Sequence, residues 1–266
     1  MKVDGRAAMV LSFAALLAGC AAAPAKDRLG EIGRSAWADQ SAHLEPANPA
    51  QEGPFSPAVA PRWRHQALPG KSPTQFSYLR KDGRDAVAVT AASSASMLRH
   101  KVRIEPIDLG NVRFSWKVPA LIAQADMGLR DVDDSPVRVI LVFEGDRSSL
   151  SPRNAMLSEL ARTLTGEEMP YATLMYVWCN QRPPGTVITN PRTDRIRKMV
   201  VESGPDKLNQ WLDYERNIRA DYERAFGEYP GPLVGIAIMT DTDNTRSTTR
   251  AWYGPVRLAP HALARQ

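Results

Sequence analysis

The strongest constraint on this chain is an unbroken period-two pattern over seven residues. Val112, Phe114, Trp116 and Val118 point one way, and Arg113, Ser115 and Lys117 point the other. Only an extended strand with one face buried and one face wet satisfies that spacing. Similar segments recur at short intervals. Phe76 and Tyr78 alternate with polar residues and run into Lys81-Asp82-Gly83-Arg84, a hairpin turn in which Gly83 supplies positive φ. Ala86–Thr90, Met97–Ile104, Pro136–Phe143, Ala172–Cys179, Ile196–Glu202, Pro232–Met239 and Arg250–Leu258 follow. Ala172–Cys179 is apolar on both faces and reads as a central strand. Two helices interrupt the series. Ser151-Pro152 opens one that runs to about Leu164, with proline in the favourable first turn. The other is Tyr214–Phe226, where Ile218, Tyr222 and Phe226 form a stripe ended by Gly227. About nine short strands, mostly antiparallel by their alternation, predict a mainly β fold. The expected architecture is an antiparallel, jelly-roll-like β-sandwich with two short helices. A single antiparallel sheet backed by the helices is the alternative.

The N-terminus carries a second pattern. Lys2 and Arg6 precede a run from Ala7 to Ala18 that is apolar apart from Ser12. A bilayer-spanning helix needs about 20 apolar residues, so the run matches the core of a secretory signal instead. Leu17-Ala18-Gly19-Cys20 then resembles the lipobox of bacterial lipoproteins. That resemblance implies that residues 1–19 are a cleaved signal peptide and that Cys20 carries lipid, palmitate included, at the mature N-terminus. Ala21, in place of Asp, implies sorting to the outer membrane, with the domain facing the periplasm. An ordinary cleaved signal ending near Ala23 is the competing reading.

Seven prolines between Pro46 and Pro73 block helix and central strand, so residues 20–74 read as a Pro-rich tether and residues 75–260 as the domain. A short helix within Leu29–Gln40 is compatible with the sequence. The net charge of +5 is spread along the chain, without the clustered stripe or module that nucleic-acid binding requires. With Cys20 lipidated, Cys179 has no partner within the chain. It lies in an apolar run and is expected to be a buried thiol, whereas a reactive cysteine wants a basic, partly exposed setting.

Gly-x-Ser-x-Gly, His-Glu-x-x-His, a phosphate-binding glycine loop and paired cysteines are all missing from the sequence. No cofactor is expected. What remains is carboxylates and aromatics. Asp131, Asp133 and Asp134 precede one apolar strand, and Asp241, Asp243 and Asn244 follow another. If the two strands run antiparallel, the clusters share an edge of the sandwich. The four carboxylates of Asp133, Asp134, Asp241 and Asp243 would repel, so a positive group is expected among them. Arg138, Arg246 and Arg250 are local, and an arginine is favoured over Ca²⁺, because Arg246 and Trp252 break the EF-hand pattern. Self-capping Asx-turns, side chains bonding their own backbone, are the leading account of this run of Asp, Asn and Thr, ahead of ion or ligand binding and of catalysis. Among the aromatics, Trp211 and Tyr253 are the expected exposed platforms for a sugar ring, and Trp178 is core. The provisional ligand-binding set is Asp133, Asp134, Arg138, Trp211, Arg216, Asp241, Asp243, Asn244 and Tyr253, with no metal assigned.

Several stretches also recur in the order of a known family. They are Tyr176-Val177-Trp178, Gly185-Thr186, Ser203-Gly204, Arg216, Asp221-Tyr222 and Phe226-Gly227-Glu228. The clearest is Gly235–Thr245 followed by Ala251-Trp252-Tyr253-Gly254, with Trp116, Asp133-Asp134, Arg138 and Phe143 upstream. Over about residues 85–258 the chain resembles the bacterial domain-of-unknown-function family number three thousand and forty-seven. Pro255 stands where that family tends to carry an acidic residue, and Arg147–Met169 is a longer insertion than usual. The resemblance implies export and a β-rich domain and carries no established reaction. Two function classes stand at this point. One is an envelope lipoprotein that binds a glycan or another envelope component without catalysis. The other is a carboxylate-dependent glycan hydrolase or lyase.

Overall fold

The computed structural model of the protein describes residues 30–41 and 63–259. Cys20, the signal segment and most of the proline tether lie outside those residues. The chain forms two packed β-sheets. One has seven strands in the order β1-β4-β11-β6-β7-β9-β8. These are Arg64–Ala67 (β1), Ala95–Ile104 (β4), Leu233–Asp241 (β11), Ser135–Phe143 (β6), Ala172–Cys179 (β7), Ile196–Ser203 (β9) and Val187–Thr189 (β8). The other sheet runs β10-β5-β12-β3-β2, with β13 also pairing β5. Its strands are Trp211–Asn217 (β10), Asn111–Lys117 (β5), Thr248–Tyr253 (β12), Arg84–Ala92 (β3), Gln75–Lys81 (β2) and Arg257–Ala259 (β13). The α-helices Ala36–Asp39 (α1), Pro152–Thr165 (α2) and Ile218–Phe226 (α3) accompany them. The architecture is the expected mainly β, jelly-roll-like pair of sheets.

The alternation read from the sequence builds the interior. Val112, Phe114 and Trp116 from one sheet meet Val139, Leu141 and Tyr176 from the other in a single core. Phe114 lies 5.1 Å from Trp116, 5.4 Å from Tyr176 and 5.3 Å from Tyr214, ring centre to ring centre. The predicted hairpin turns on Asp82 and Gly83, at φ 51° and 80°. Positive φ at both central residues matches the twist of the flanking strands. Tyr253 clamps the sheets together: its hydroxyl donates to the Met239 carbonyl at 2.5 Å and accepts from the Arg138 backbone N–H at 3.1 Å.

The structure corrects four expectations. First, the domain begins before residue 75. β1 pairs with β4, Trp63 is buried, and Trp37 is fully buried with its ring 4.8 Å from that of Trp63. Prolines disfavour helix and central strand, but they do not prevent Trp37, before the run, or Trp63, within it, from docking. Second, Trp211–Asn217 is a strand paired with β5, and the helix starts only at Ile218. The Asn217 side chain accepts from the Ala220 N–H and caps it there. Third, β7 and β9 pair parallel. Residues 180–195 carry the chain back across the sheet, the length of connection that a parallel pair needs. Fourth, Arg250–Leu258 is two strands, interrupted at Gly254. A Cβ at Gly254 would stand 2.1 Å from Ser115 Oγ, so a side chain there would force Ser115 to move.

Candidate functional site

The register places the two acidic clusters at one end of the seven-stranded sheet. β6 starts there and β11 ends there, with Ser135 opposite Asp241. Arg138 lies between them. Its Nη2 is 3.2 Å from Asp133 Oδ1, 2.8 Å from the Asp133 carbonyl and 3.2 Å from Asp241 Oδ2. A second cation, Lys198 on β9, is fully buried; its Nζ donates to Asp133 Oδ2 at 2.6 Å and to the Met127 carbonyl at 2.9 Å. Asp134 accepts the backbone N–H groups of Asn244 at 3.2 Å and Thr245 at 2.7 Å, plus the Thr245 hydroxyl at 2.6 Å. Asp243 pairs with Lys71. Desolvation, opposed by Arg138, raises the Asp241 pKa well above its ordinary value. Desolvation and the nearby Arg138 charge push Lys198 down to about 8.

Oxygens of Asp134, Asp241 and Asp243 lie within 4.8 Å of one another. Each of these carboxylates is already engaged by Arg138, Lys71 or backbone donors, so the geometry is that of a charged pin joining two strand ends and a loop. Lys198 was not legible as part of it. Its side chain reaches Asp133 only because the parallel β7–β9 pairing brings β9 beside that face, which local alternation does not encode.

Three other residues in the provisional set are also structural. Tyr253 is fully buried in the inter-sheet clamp, correcting its reading as an exposed platform. Arg216 forms a bidentate pair with Asp221 at 2.8 and 2.5 Å, and Tyr176 OH donates to the same carboxylate at 2.9 Å. This ties β10 to α3. The Asn244 side chain donates to the Arg130 carbonyl at 3.1 Å and closes a loop.

Trp211 leads elsewhere, to the outer face of the six-stranded sheet. Trp211, Lys117 and Trp252 stand abreast there on three adjacent strands. Two strand spacings, about 9–10 Å, separate the backbones that carry the two indoles. Both rings are half-buried, Trp211 under the Arg84 guanidinium at 5.3 Å and Trp252 under Lys81 at 5.0 Å. Beside this row opens a cleft of about 510 Å³, within the usual range for small-ligand sites. Its lining includes Gln40, Arg84, Asp85, Arg113, Ser115, Asp213, Glu215, Pro255 and Arg257.

The polar groups of the cleft are held in pairs. Arg84 meets Asp213 at 2.7 Å, and Arg113 meets Glu215 at 3.2 Å. Gln40 bridges Asp85 at 3.0 Å and Arg257 at 2.5 Å. Hydrogen bonds from Tyr78 and, more weakly, Gln40 lower the Asp85 pKa; bonds from Asn111 and Arg113 lower that of Glu215. Sequence reasoning missed this site because it placed Glu215 on a helix. As a strand, the same residues align Trp211, Asp213 and Glu215 on the face that carries Arg113, Ser115 and Lys117.

A family model described as "Protein of unknown function (DUF3047)" matches residues 61–257. Among curated protein sequences, none matches the chain. Among solved structures, the chain is similar to a family 11 carbohydrate-binding module of a cellulosomal cellulase, Lic26A-Cel5E, from Clostridium thermocellum. The TM-score is 0.37 at 7% identity, over 77% of this chain and 91% of that one. It is also similar to the xyloglucanase domain of NopAA, a type three effector from Sinorhizobium fredii (0.40, 9%, 74% and 92%). A third is the endo-1,4-beta-glucanase CelB2 (0.39, 8%, 75% and 97%). At this level the likeness is one of β-sandwich outline and assigns no ligand.

Proposed function

The chain belongs to the DUF3047 family, proteins of unknown function, and we propose that its domain is a non-catalytic glycan-binding module whose site is the cleft and tryptophan row of the six-stranded sheet. The observation that carries this reading is the lining itself. Guanidinium, carboxylate and amide groups alternate around a cleft beside two indoles set two strands apart. Sugar hydroxyls donate and accept at once, so they match a wall that offers both roles, and an indole face suits the apolar face of a pyranose. The cleft carboxylates Asp213, Glu215 and Asp85 are held by Arg84, Arg113 and Gln40, an arrangement that suits binding better than acid catalysis. A glycosidase needs an acid whose pKa is raised so that it holds a proton near neutrality. In the cleft, Asp85 and Glu215 shift the other way. The carboxylate that does shift up, Asp241, is buried against Arg138 in the pin at the sheet end.

Anchoring belongs to the same proposal. Cys20 would hold the module to the outer membrane by its lipid, facing periplasmic glycans; labelling with a fatty-acid analogue should mark the wild type and not Cys20→Ala. The binding reading is tested on an array of envelope and plant-type oligosaccharides. Wild-type protein should bind one class, and Trp252→Ala and Arg84→Ala should each lose at least about tenfold in affinity, or about 1.4 kcal/mol. Unchanged binding by both variants would remove the cleft from the site.

A further inference from the structure

The cations around the cleft and the tryptophan row are only partly answered by carboxylates. Lys81 and Lys117 share Asp82, at 3.4 and 2.7 Å. Arg84 takes Asp213, and Arg113 takes Glu215. Asp85 is engaged by the Tyr78 hydroxyl at 2.7 Å and by Gln40. Two arginines are left over. Arg250 lies against the Trp252 ring at 5.9 Å, and Arg257 donates to the Gln40 side-chain oxygen. Both are exposed, and neither forms an ion pair among the described residues.

Their places in the sheet give the excess a direction. Arg257 stands directly opposite Arg113 on the β13–β5 ladder, and Glu215 flanks Arg113 on its other side. Like charges so placed destabilise a sheet. An anion at that wall of the cleft would relieve the repulsion. Arg250 precedes Trp252 by two residues on β12 and so shares its face, where Lys117 is the cross-strand neighbour of the indole. Any ring that packs on Trp252 therefore lies within reach of Lys81, Lys117 and Arg250.

We infer that the ligand of the cleft is an acidic glycan, a uronate-bearing oligosaccharide whose carboxylates pair with Arg257 and Arg250 while a ring packs on Trp252. This rests on the cleft being a glycan site and adds the ligand's charge. A guanidinium meets a carboxylate with two parallel N–H bonds, which fixes orientation as well as charge. The two arginine stations are spread along β5. Arg257 pairs with Arg113 and Trp252 with Lys117, about 13 Å further along the strand, a span that calls for more than one sugar ring. The carboxylates set the upper limit on ligand charge. Asp82, Asp213 and Glu215 lie among the cations and repel a densely charged polyanion, whereas they accept the hydroxyls of a chain with one carboxylate per ring.

Calorimetric titration of the full chain with an oligogalacturonate and with an alginate oligosaccharide, each beside its carboxyl-reduced counterpart, tests the inference. At least one acidic oligosaccharide should bind, with its reduced form at least about tenfold weaker. Its affinity should fall as salt rises. Arg257→Gln and Arg250→Gln should each weaken the acidic ligand severalfold and leave the reduced one unchanged, with melting curves confirming the fold. A reduced form bound as tightly as its acid would overturn the acidic assignment and leave the glycan site standing. Failure of both acids to bind would overturn it as well, and the oligosaccharide array then decides separately whether the cleft takes a neutral glycan or none. Single-stranded DNA or anionic vesicles bound as tightly as the uronate would reveal a general polyanion surface, which also overturns the inference.

Discussion

Arg138 and Lys198 illustrate how much one buried side chain can be asked to hold. Arg138 sits between Asp133 and Asp241, all three nearly inaccessible to water. Removing one partner of such a group leaves uncompensated buried charge, which costs about 3–5 kcal/mol. Arg138→Leu should therefore lower unfolding stability by that order in denaturant titrations. Lys198 adds a pH signature. Its folded pKa of about 8 lies below the unfolded value of 10.5. Between those values the unfolded chain binds more protons, so stability from this group rises with pH through the window and is lost as pH falls through about 8. The stability difference between wild type and Lys198→Met should grow from pH 8 to 10.5; a flat difference would contradict the assignment. Cys179, a free and buried thiol, should react with a thiol reagent only after unfolding. Fast labelling of native protein would show that the site opens.

At the scale of elements, alternation in the sequence was a good guide wherever both faces of a strand differed. β2 and β5 were readable for that reason, and so was the meeting of the two acidic clusters, which follows from adjacent antiparallel strands. Three things were not readable, each for a physical reason. The parallel β7–β9 pairing depends on a long connection, not on local pattern. The strand β10 runs directly into α3, so an acidic and aromatic stretch with helical spacing at its end passes for one helix. Docking of residues 30–41 depends on two tryptophans far apart in sequence finding each other. Trp37→Ala tests that last contact. The side chain is fully buried against Trp63, and truncation of such a residue costs about 3–5 kcal/mol. A loss of that size by thermal or denaturant melting is the expected result. A negligible change would mean that the segment adds nothing to the domain.

The whole molecule divides its surface by task. One end of the sandwich is pinned by the Asp133–Arg138–Asp241 network. The opposite end carries α2 in the connection from β6 to β7. The outer face of the six-stranded sheet holds the cleft, and the candidate residues chosen from sequence mostly fell in the pin because charge clusters are conspicuous there. The cleft was missed because its residues are spread over β2–β3, β5, β10, β13 and the segment after α1, and only the sheet order brings them together. The central claim is that this cleft binds glycan and does not cleave it. The most direct test is calorimetric titration with the array-selected oligosaccharide, followed by reducing-end analysis of the same sample after prolonged incubation. The account predicts saturable binding that Arg84→Ala and Trp252→Ala weaken, with the oligosaccharide recovered intact. Release of new reducing ends that tracks the wild-type protein and vanishes in Asp213→Asn or Glu215→Gln would contradict it.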